Sequence, residues 1–349
     1  MAWLLPPLPP NFEAALRDVR GRRVESRLSA AERLGRADAD ERVRAIEGLR
    51  VLSGDAHPSV RATALAGLGM LEAREALDLV LAGLHDGAPE VRELATLAAA
   101  QIGGDEVVEA MRTALASEAP EVRFQAVAAL AELAPERAGR DLLPLLSDPD
   151  PEVRGQVVAG LSSLDEAHLA GHFAGALEDE HPSVRLEAAL ALAALDDKRG
   201  EAELLRALIE RERLLEVAGA LAELGCQRAL EPLARLAGSL FTSPHVRAAT
   251  GAALIRLGDV RGIAALRRVL TGFRPDARSY AVELVGETRA LALLPQLVAL
   301  VQRPRGVDPM TLVEALAEFG GEPGVQAALH ELGKRGDDVG ERARRALAK

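Results

Sequence analysis

Apolar positions recur along this chain with a helical period. Counting from Pro58, the apolar residues are Val60, Ala64, Leu65, Leu68 and Leu71; counting from Pro120 they are Val122, Ala126, Val127, Leu130 and Leu133. An α-helix turns about 100° per residue, so these offsets fall on one arc and define a core face. The offsets +1, +4, +5, +8, +11 and +12 fall on the other arc, where residue type varies from copy to copy. A second amphipathic stretch precedes each of these helices, for example at 105–116 and 140–146. The pattern predicts stacked helix pairs and no strands.

The prolines set the register. Pro58, Pro89, Pro120, Pro151 and Pro182 are spaced at 31 residues; Arg213 occupies the next slot, and Pro244 and Pro275 resume the series. Each opens a shared phrase, as in Pro58-Ser-Val-Arg61, Pro89-Glu-Val-Arg92 and Pro151-Glu-Val-Arg154, with Pro275-Asp-Ala-Arg278 a near copy. Proline suits the first helical turn, where its missing N–H would be unpaired in any case. Asp55, Asp86, Asp148 and Asp179 stand three residues before their prolines, and acids favour the approach to a helix N-terminus. A fixed period of this length is the mark of a solenoid.

The phrase Asp148-Pro-Asp-Pro-Glu-Val-Arg154 followed by Ala and Leu resembles the HEAT-repeat family, in particular the short repeats of the phycobilin lyases. The resemblance implies an all-α, right-handed solenoid of about ten HEAT-like helix pairs over residues 40–349, with the proline-led helix second in each pair and lining the binding face. Residues 1–39 are then a terminal segment with two capping helices at 11–20 and 24–34, and 338–349 a polar C-terminal cap. Trp3 and the prolines after it are expected to fold back on the N-terminal cap or to serve as a short ligand motif.

The repeated arginine at +3 comprises Arg61, Arg92, Arg123, Arg154, Arg185, Arg247 and Arg278. It lies at about 300°, inside the core arc. A buried guanidinium needs partners, so the favoured reading is structural, each arginine bonding an aspartate of a neighbouring loop. The competing reading is a cationic ladder for an anionic polymer.

Candidate binding residues therefore come from the variable arc. Early repeats carry Ser59, Thr63, Glu90 and Glu93. Central ones carry Leu97, Phe124, Leu186, Leu190, Val217 and Leu221, and late ones His245, Arg256, Ser279 and Tyr280. The central apolar group is read either as a docking groove or as packing against the adjacent repeat. The slot at Arg213, within the irregular stretch 198–226, places Glu216 at the arginine position. It is either a hinge or a decayed repeat. Leu240-Phe241 adds an apolar patch just after it.

Composition narrows the function. Aromatics make up 2% of the chain against 48% hydrophobic residues, so Ala, Leu and Val build the core. The formal net charge is −11, yet residues 244–305 hold ten arginines and four acids. Overall acidity disfavours nucleic acid, whose binding rests on phosphate neutralisation. The lone Cys226 precludes a disulfide framework, and no run is long and apolar enough to span a membrane. The N-terminus lacks the basic and long apolar regions of a signal peptide, which leads to the expectation of a cytoplasmic protein. His168 and His172, four apart, have metal-ligand spacing but no assured third ligand, and only one His-Glu pair occurs, His330-Glu331, where HEAT-like di-iron hydroxylases repeat it. No phosphate loop or nucleophile motif is present. The sequence thus predicts a non-catalytic scaffold without cofactor or metal. It would bind a basic or amphipathic segment of another protein, with no membrane partner. A lyase-like or nucleic-acid-processing subunit acting through 244–305 is the alternative.

Overall fold

The computed structural model describes residues 11–164 and 166–348; the expectations for Trp3 and its prolines lie outside the described residues. Twenty-two α-helices are found among them and no strands. The chain divides into two compact units, residues 1–169 with 181–184, and residues 170–180 with 185–349.

In the N-terminal unit the helices pair as Phe12–Asp18 with Val24–Leu34, Arg42–Leu52 with Pro58–Met70, Leu77–Gly83 with Pro89–Ile102, Asp105–Ala114 with Pro120–Leu133, and Pro135–Leu142 with Pro151–Ser162. Each second helix packs on the next, Pro58–Met70 on Pro89–Ile102 and Pro89–Ile102 on Pro120–Leu133. The predicted core offsets are filled as expected: Val60, Ala64, Leu65 and Leu68, like Val122, Ala126, Val127 and Leu130, are buried. The C-terminal unit continues the scheme. Glu201–Glu210 pairs with Leu214–Glu223, Leu230–Gly238 with Pro244–Arg256, Arg261–Leu270 with Pro275–Glu287, Leu294–Gln302 with Pro309–Ala317, and Val325–Gly333 with Asp338–Leu347.

A second marker of register appears where the second helices end. Glu72, Asp196, Gly258 and Arg289 each have positive φ and lie fourteen residues after Pro58, Pro182, Pro244 and Pro275. The bonds there are those of a Schellman-type stop. The Glu72 N–H donates to Gly69 O and the Ala73 N–H to Leu68 O, and the Arg289 and Ala290 N–H groups donate to Gly286 O and Val285 O. Gly225 makes the same turn, its N–H donating to Ala222 O and that of Cys226 to Leu221 O. Counting back fourteen from Gly225 gives Arg211, not Arg213.

The irregular pair is therefore two residues short before its second helix, and the chain recovers them before Pro244. The shortened connection leaves Glu210 and enters Leu214 through two left-handed residues, Arg211 (φ 66°) and Arg213 (φ 38°). This overturns the register read from proline spacing alone. Glu216 does not occupy the ladder position; Leu214 does. Val217 and Leu221, expected at exposed offsets, stand at +6 and +10 and are fully buried.

Candidate interaction surface

The arginines of the N-terminal unit share one bonding scheme. The Arg61 guanidinium donates from Nε and Nη2 to both oxygens of Asp86, at 2.9 and 2.7 Å, and from Nη1 to the carbonyls of Asp55 and Ala56. Arg123 repeats this with Asp148, at 2.7 Å on both oxygens, and with the carbonyls of Ser117 and Glu118. Arg92 bonds the carbonyls of Asp86 and Gly87 and turns to Glu121 for its carboxylate, because Ser117 replaces the aspartate. Arg154 and Arg185 bond the carbonyls six and five residues before them in the same manner. Arg27, in the helix assigned to the cap, also makes the full set, with Asp55, Gly21 O and Arg22 O. The bonding scheme thus begins one pair earlier than residue 40.

Each aspartate closes its own loop as well, since the N–H two residues on donates to the same carboxylate: His57 to Asp55, Ala88 to Asp86 and Asp150 to Asp148. The Arg27 guanidinium holds the Asp55 carboxyl below the usual range, and Arg61 does the same for Asp86. Burial would raise Asp148, but Arg123 and the Asp150 N–H outweigh it and the net shift is downward. A depressed folded pKa gives stability that is present above the unfolded value and lost as pH falls through the folded one. Acid titration of the wild type, followed by circular dichroism, is expected to show stability falling below about pH 4. Asp86→Asn, less stable at neutral pH, should show a shallower fall over the same range, and equal slopes would refute the linkage.

Arg247 and Arg278 depart from the scheme. They are 7% and 3% exposed, and no carboxylate pairs with either among the described residues. Arg247 donates to the carbonyls of Ala237, Ser239 and Thr242, and Arg278 to those of Leu270, Gly272 and Arg305. Burial, with Arg268 near one and Arg305 near the other, lowers both pKa values.

The proposed binding residues scatter. Leu97 is 41% exposed, and Phe124 and Leu190 are half-buried. Leu186 is 4% exposed and joins the core cluster that also holds Val217 and Leu221. These three are removed from any surface. Of the two readings of the central apolar group, packing against the adjacent repeat accounts for them. Tyr280 is half-buried, with its ring 5.8 Å from that of His245. Burial raises its pKa, and Glu287 and Glu283 push the same way.

Arg256 does not make the late face basic. It sits between Glu287, at 2.7 Å, and Glu223, at 3.7 Å. Beyond it, Glu283, Glu287, Glu314 and Glu318 line a cleft of about 470 Å³ together with Thr311, over a floor of Gly286 and Ala315. The floor is close-packed: a Cβ on Gly286 would meet the Ala315 Cα at 2.8 Å. Arg289 reaches Glu318 at 3.0 Å and Arg342 reaches Glu314 at 3.6 Å, whereas Glu283 has no ion pair among the described residues. The sequence reading missed this cleft because the four glutamates belong to two proline-led helices and are sparse within each.

His168 contacts Glu166 at 3.3 Å in an exposed position, and no metal-binding group forms among the described residues. No helix among them is long and apolar enough to cross a membrane.

Stacked helix pairs with this stop and this arginine scheme define an α-solenoid. The HEAT repeat model matches residues 46–131, 108–171 and 139–214, so this stretch of the chain is built of HEAT repeats. Among solved structures, the chain is similar to YibA of Escherichia coli, with 22% identity over 71% of this chain and 93% of that one, at a TM-score of 0.52. It is also similar to importin beta, with 14% identity over 97% and 52% of the two chains and a TM-score of 0.49. A third is the CpcE–CpcF complex of phycocyanin lyase from Nostoc, with 19% identity over 64% and 93% and a TM-score of 0.44. At these identities the likeness is one of fold. No curated protein sequence matches the chain.

Proposed function

We propose that the protein is a non-catalytic interaction scaffold whose second-helix face holds a basic or amphipathic segment of a partner protein. The cleft of Glu283, Glu287, Glu314 and Glu318 carries this reading. Three of its carboxylates are held by Arg256, Arg289 and Arg342 and the fourth, Glu283, has no ion pair among the described residues, so a cationic side chain entering between the two helices gains electrostatic attraction. Leu97 and Phe124 in the N-terminal unit, and Leu190 and Tyr280 in the C-terminal unit, remain as apolar contacts for the same class of segment, and Arg256 fixes one of the cleft's carboxylates, Glu287. The array over 40–349 and the terminal cap at 338–349 belong to this proposal.

The alternative of nucleic-acid or chromophore processing through 244–305 loses ground. Arg247 and Arg278 are buried, and Arg256, Arg261 and Arg289 already hold carboxylates. A labelled amphipathic peptide rich in lysine and arginine tests the reading by fluorescence anisotropy. The double substitution Glu283→Lys and Glu314→Lys is expected to weaken its binding by about a hundredfold, near tenfold per reversed charge. Equal binding by wild type and variant would remove the cleft from the binding surface.

A further inference from the structure

Two of the six phenylalanines stand free in water. Phe241 is 96% exposed and Phe273 101%, and Leu240 beside the first is 74% exposed. Both phenylalanines lie in connections from first to second helix, in successive pairs of the C-terminal unit: one between Gly238 and Pro244, the other between Leu270 and Pro275. The third such connection, between Gln302 and Pro309, carries Arg303 and Arg305.

The departure from the repeat is chemical as well as steric. Phe241 stands three residues before its proline, the place of Asp55, Asp86 and Asp148 elsewhere, and Gly272 stands there in the next pair. Where the aspartate neutralised the ladder arginine, these connections offer only carbonyls. Arg247 and Arg278 lie behind the two loops with no carboxylate partner among the described residues; Arg247 bonds the loop carbonyls of Ser239 and Thr242 and the helix-end carbonyl of Ala237, and Arg278 bonds Gly272 O in its loop, Leu270 O at the helix end and Arg305 O in the third connection. Arg268 lies near Arg247 and Arg305 near Arg278, and in the same stretch Arg267, Arg268, Arg274, Arg303 and Arg305 have no ion pair among the described residues. A cleft of about 250 Å³ at the start of the second connection, lined by Leu270, Thr271, Gln296, Arg303 and Arg305, adds a cationic recess with a hydroxyl at its wall. The edge is thus apolar at its tips and basic behind them, in a chain whose net charge is −11.

We propose that this loop edge is a peripheral docking surface for an anionic phospholipid bilayer. Leu240, Phe241 and Phe273 enter the boundary between headgroups and acyl chains, while the arginines behind them meet lipid phosphates. Apolar side chains backed by arginines favour the membrane interface, and the arginine stems can lie along it with their charges in the headgroup layer. A bilayer is favoured over an acidic protein segment because the apolar groups are separate projecting tips. A protein would need a pocket for each, whereas a bilayer accepts them without matching shape. This is attachment at a surface, consistent with the lack of a membrane-crossing helix among the described residues, and it is independent of the carboxylate cleft.

The test is flotation of the full chain with vesicles of phosphatidylcholine alone or mixed with phosphatidylglycerol. Binding is expected to the mixed vesicles only and to fall as salt rises. The double variant Phe241→Ser and Phe273→Ser should partition at least about tenfold less, through lost apolar burial. Arg303→Glu with Arg305→Glu should abolish binding even at low salt. Phe273→Trp gives a second readout that needs no loss of function: its emission should shift to the blue on adding mixed vesicles. Failure to float with mixed vesicles, equal flotation of the phenylalanine variant, or an unshifted tryptophan would each overturn the proposal. Capture of a polyglutamate peptide by the same edge without vesicle binding would overturn it in favour of an acidic protein partner.

Discussion

Arg123→Ala is expected to cost the protein about 3 kcal/mol or more, the largest loss from any single ladder substitution, because it strands a buried carboxylate. Arg123 and Asp148 are 9% and 8% exposed, less than the Arg61 and Asp86 pair on either partner. The guanidinium makes four bonds, two to Asp148 and two to carbonyls of the preceding loop. Truncation leaves Asp148 with the Asp150 N–H alone and frees the carbonyls of Ser117 and Glu118. The loss spreads because the pair bridges two repeats: the loop before Pro120 and the loop before Pro151 are joined by it, and stacked repeats share interface energy. Urea unfolding is the measurement. Arg123→Met with Asp148→Leu should recover much of the loss, since an apolar pair of similar volume needs no counter-charge. A single variant as stable as wild type would return the ladder to the surface-binding reading.

Much of this arrangement was written in the sequence. The +3 offset put the arginines inside the core arc, and the aspartates three residues before the prolines were the partners that such burial demanded. Register was the weak point. Proline spacing measures net chain length, and a deletion before Leu214 followed by an equal insertion before Pro244 leaves that length unchanged. The signal that could have exposed it lay in the glycines. Gly103 and Gly258 follow their prolines by fourteen residues, while Gly225 follows Arg213 by twelve. Reading the left-handed stop as a second register mark would have moved Val217 and Leu221 from the surface to the core. The carboxylate cleft and the loop edge were less legible for another reason. Both are assembled from residues about one period apart, and only the stacking of repeats brings Glu283 to Glu314, or Thr271 to Arg303 and Arg305.

The same stacking explains how an acidic protein carries a basic stretch without one basic surface. Of the ten arginines between 244 and 305, two are buried behind loops, three hold carboxylates, and the remaining five have no ion pair among the described residues. Charge in a solenoid is sorted by offset within the repeat, so a local sequence count cannot say which face receives it.

Gly262→Val is expected to disrupt the packing of the C-terminal unit. Gly262 opens the helix Arg261–Leu270 where it crosses Pro244–Arg256, and a Cβ there would strike the Gly251 carbonyl, with Ile255 Cγ1 at 2.8 Å and the Ile255 backbone N at 3.0 Å. Two of these three obstacles are backbone, so no rotamer change relieves them, and the helices must separate. Gly251 shows the reciprocal crowding, its added Cβ lying 3.0 Å from Ala265 Cβ and 3.2 Å from the Gly262 carbonyl. Overpacking of a core costs about 1–3 kcal/mol when side chains can yield, and a backbone clash belongs at or beyond the upper end. Separation would also withdraw Ala248, Ala252 and Leu266 from the cluster they share with Val285. Gly219→Ala is the control, because a Cβ there meets nothing within 4 Å and the residue lies inside the helix Leu214–Glu223. It should stabilise the protein by about 0.5–1 kcal/mol through helix propensity. Thermal unfolding of the two variants should therefore move in opposite directions from the wild type, and a Gly262→Val protein that melts with the wild type would show that the helix crossing is looser than its geometry.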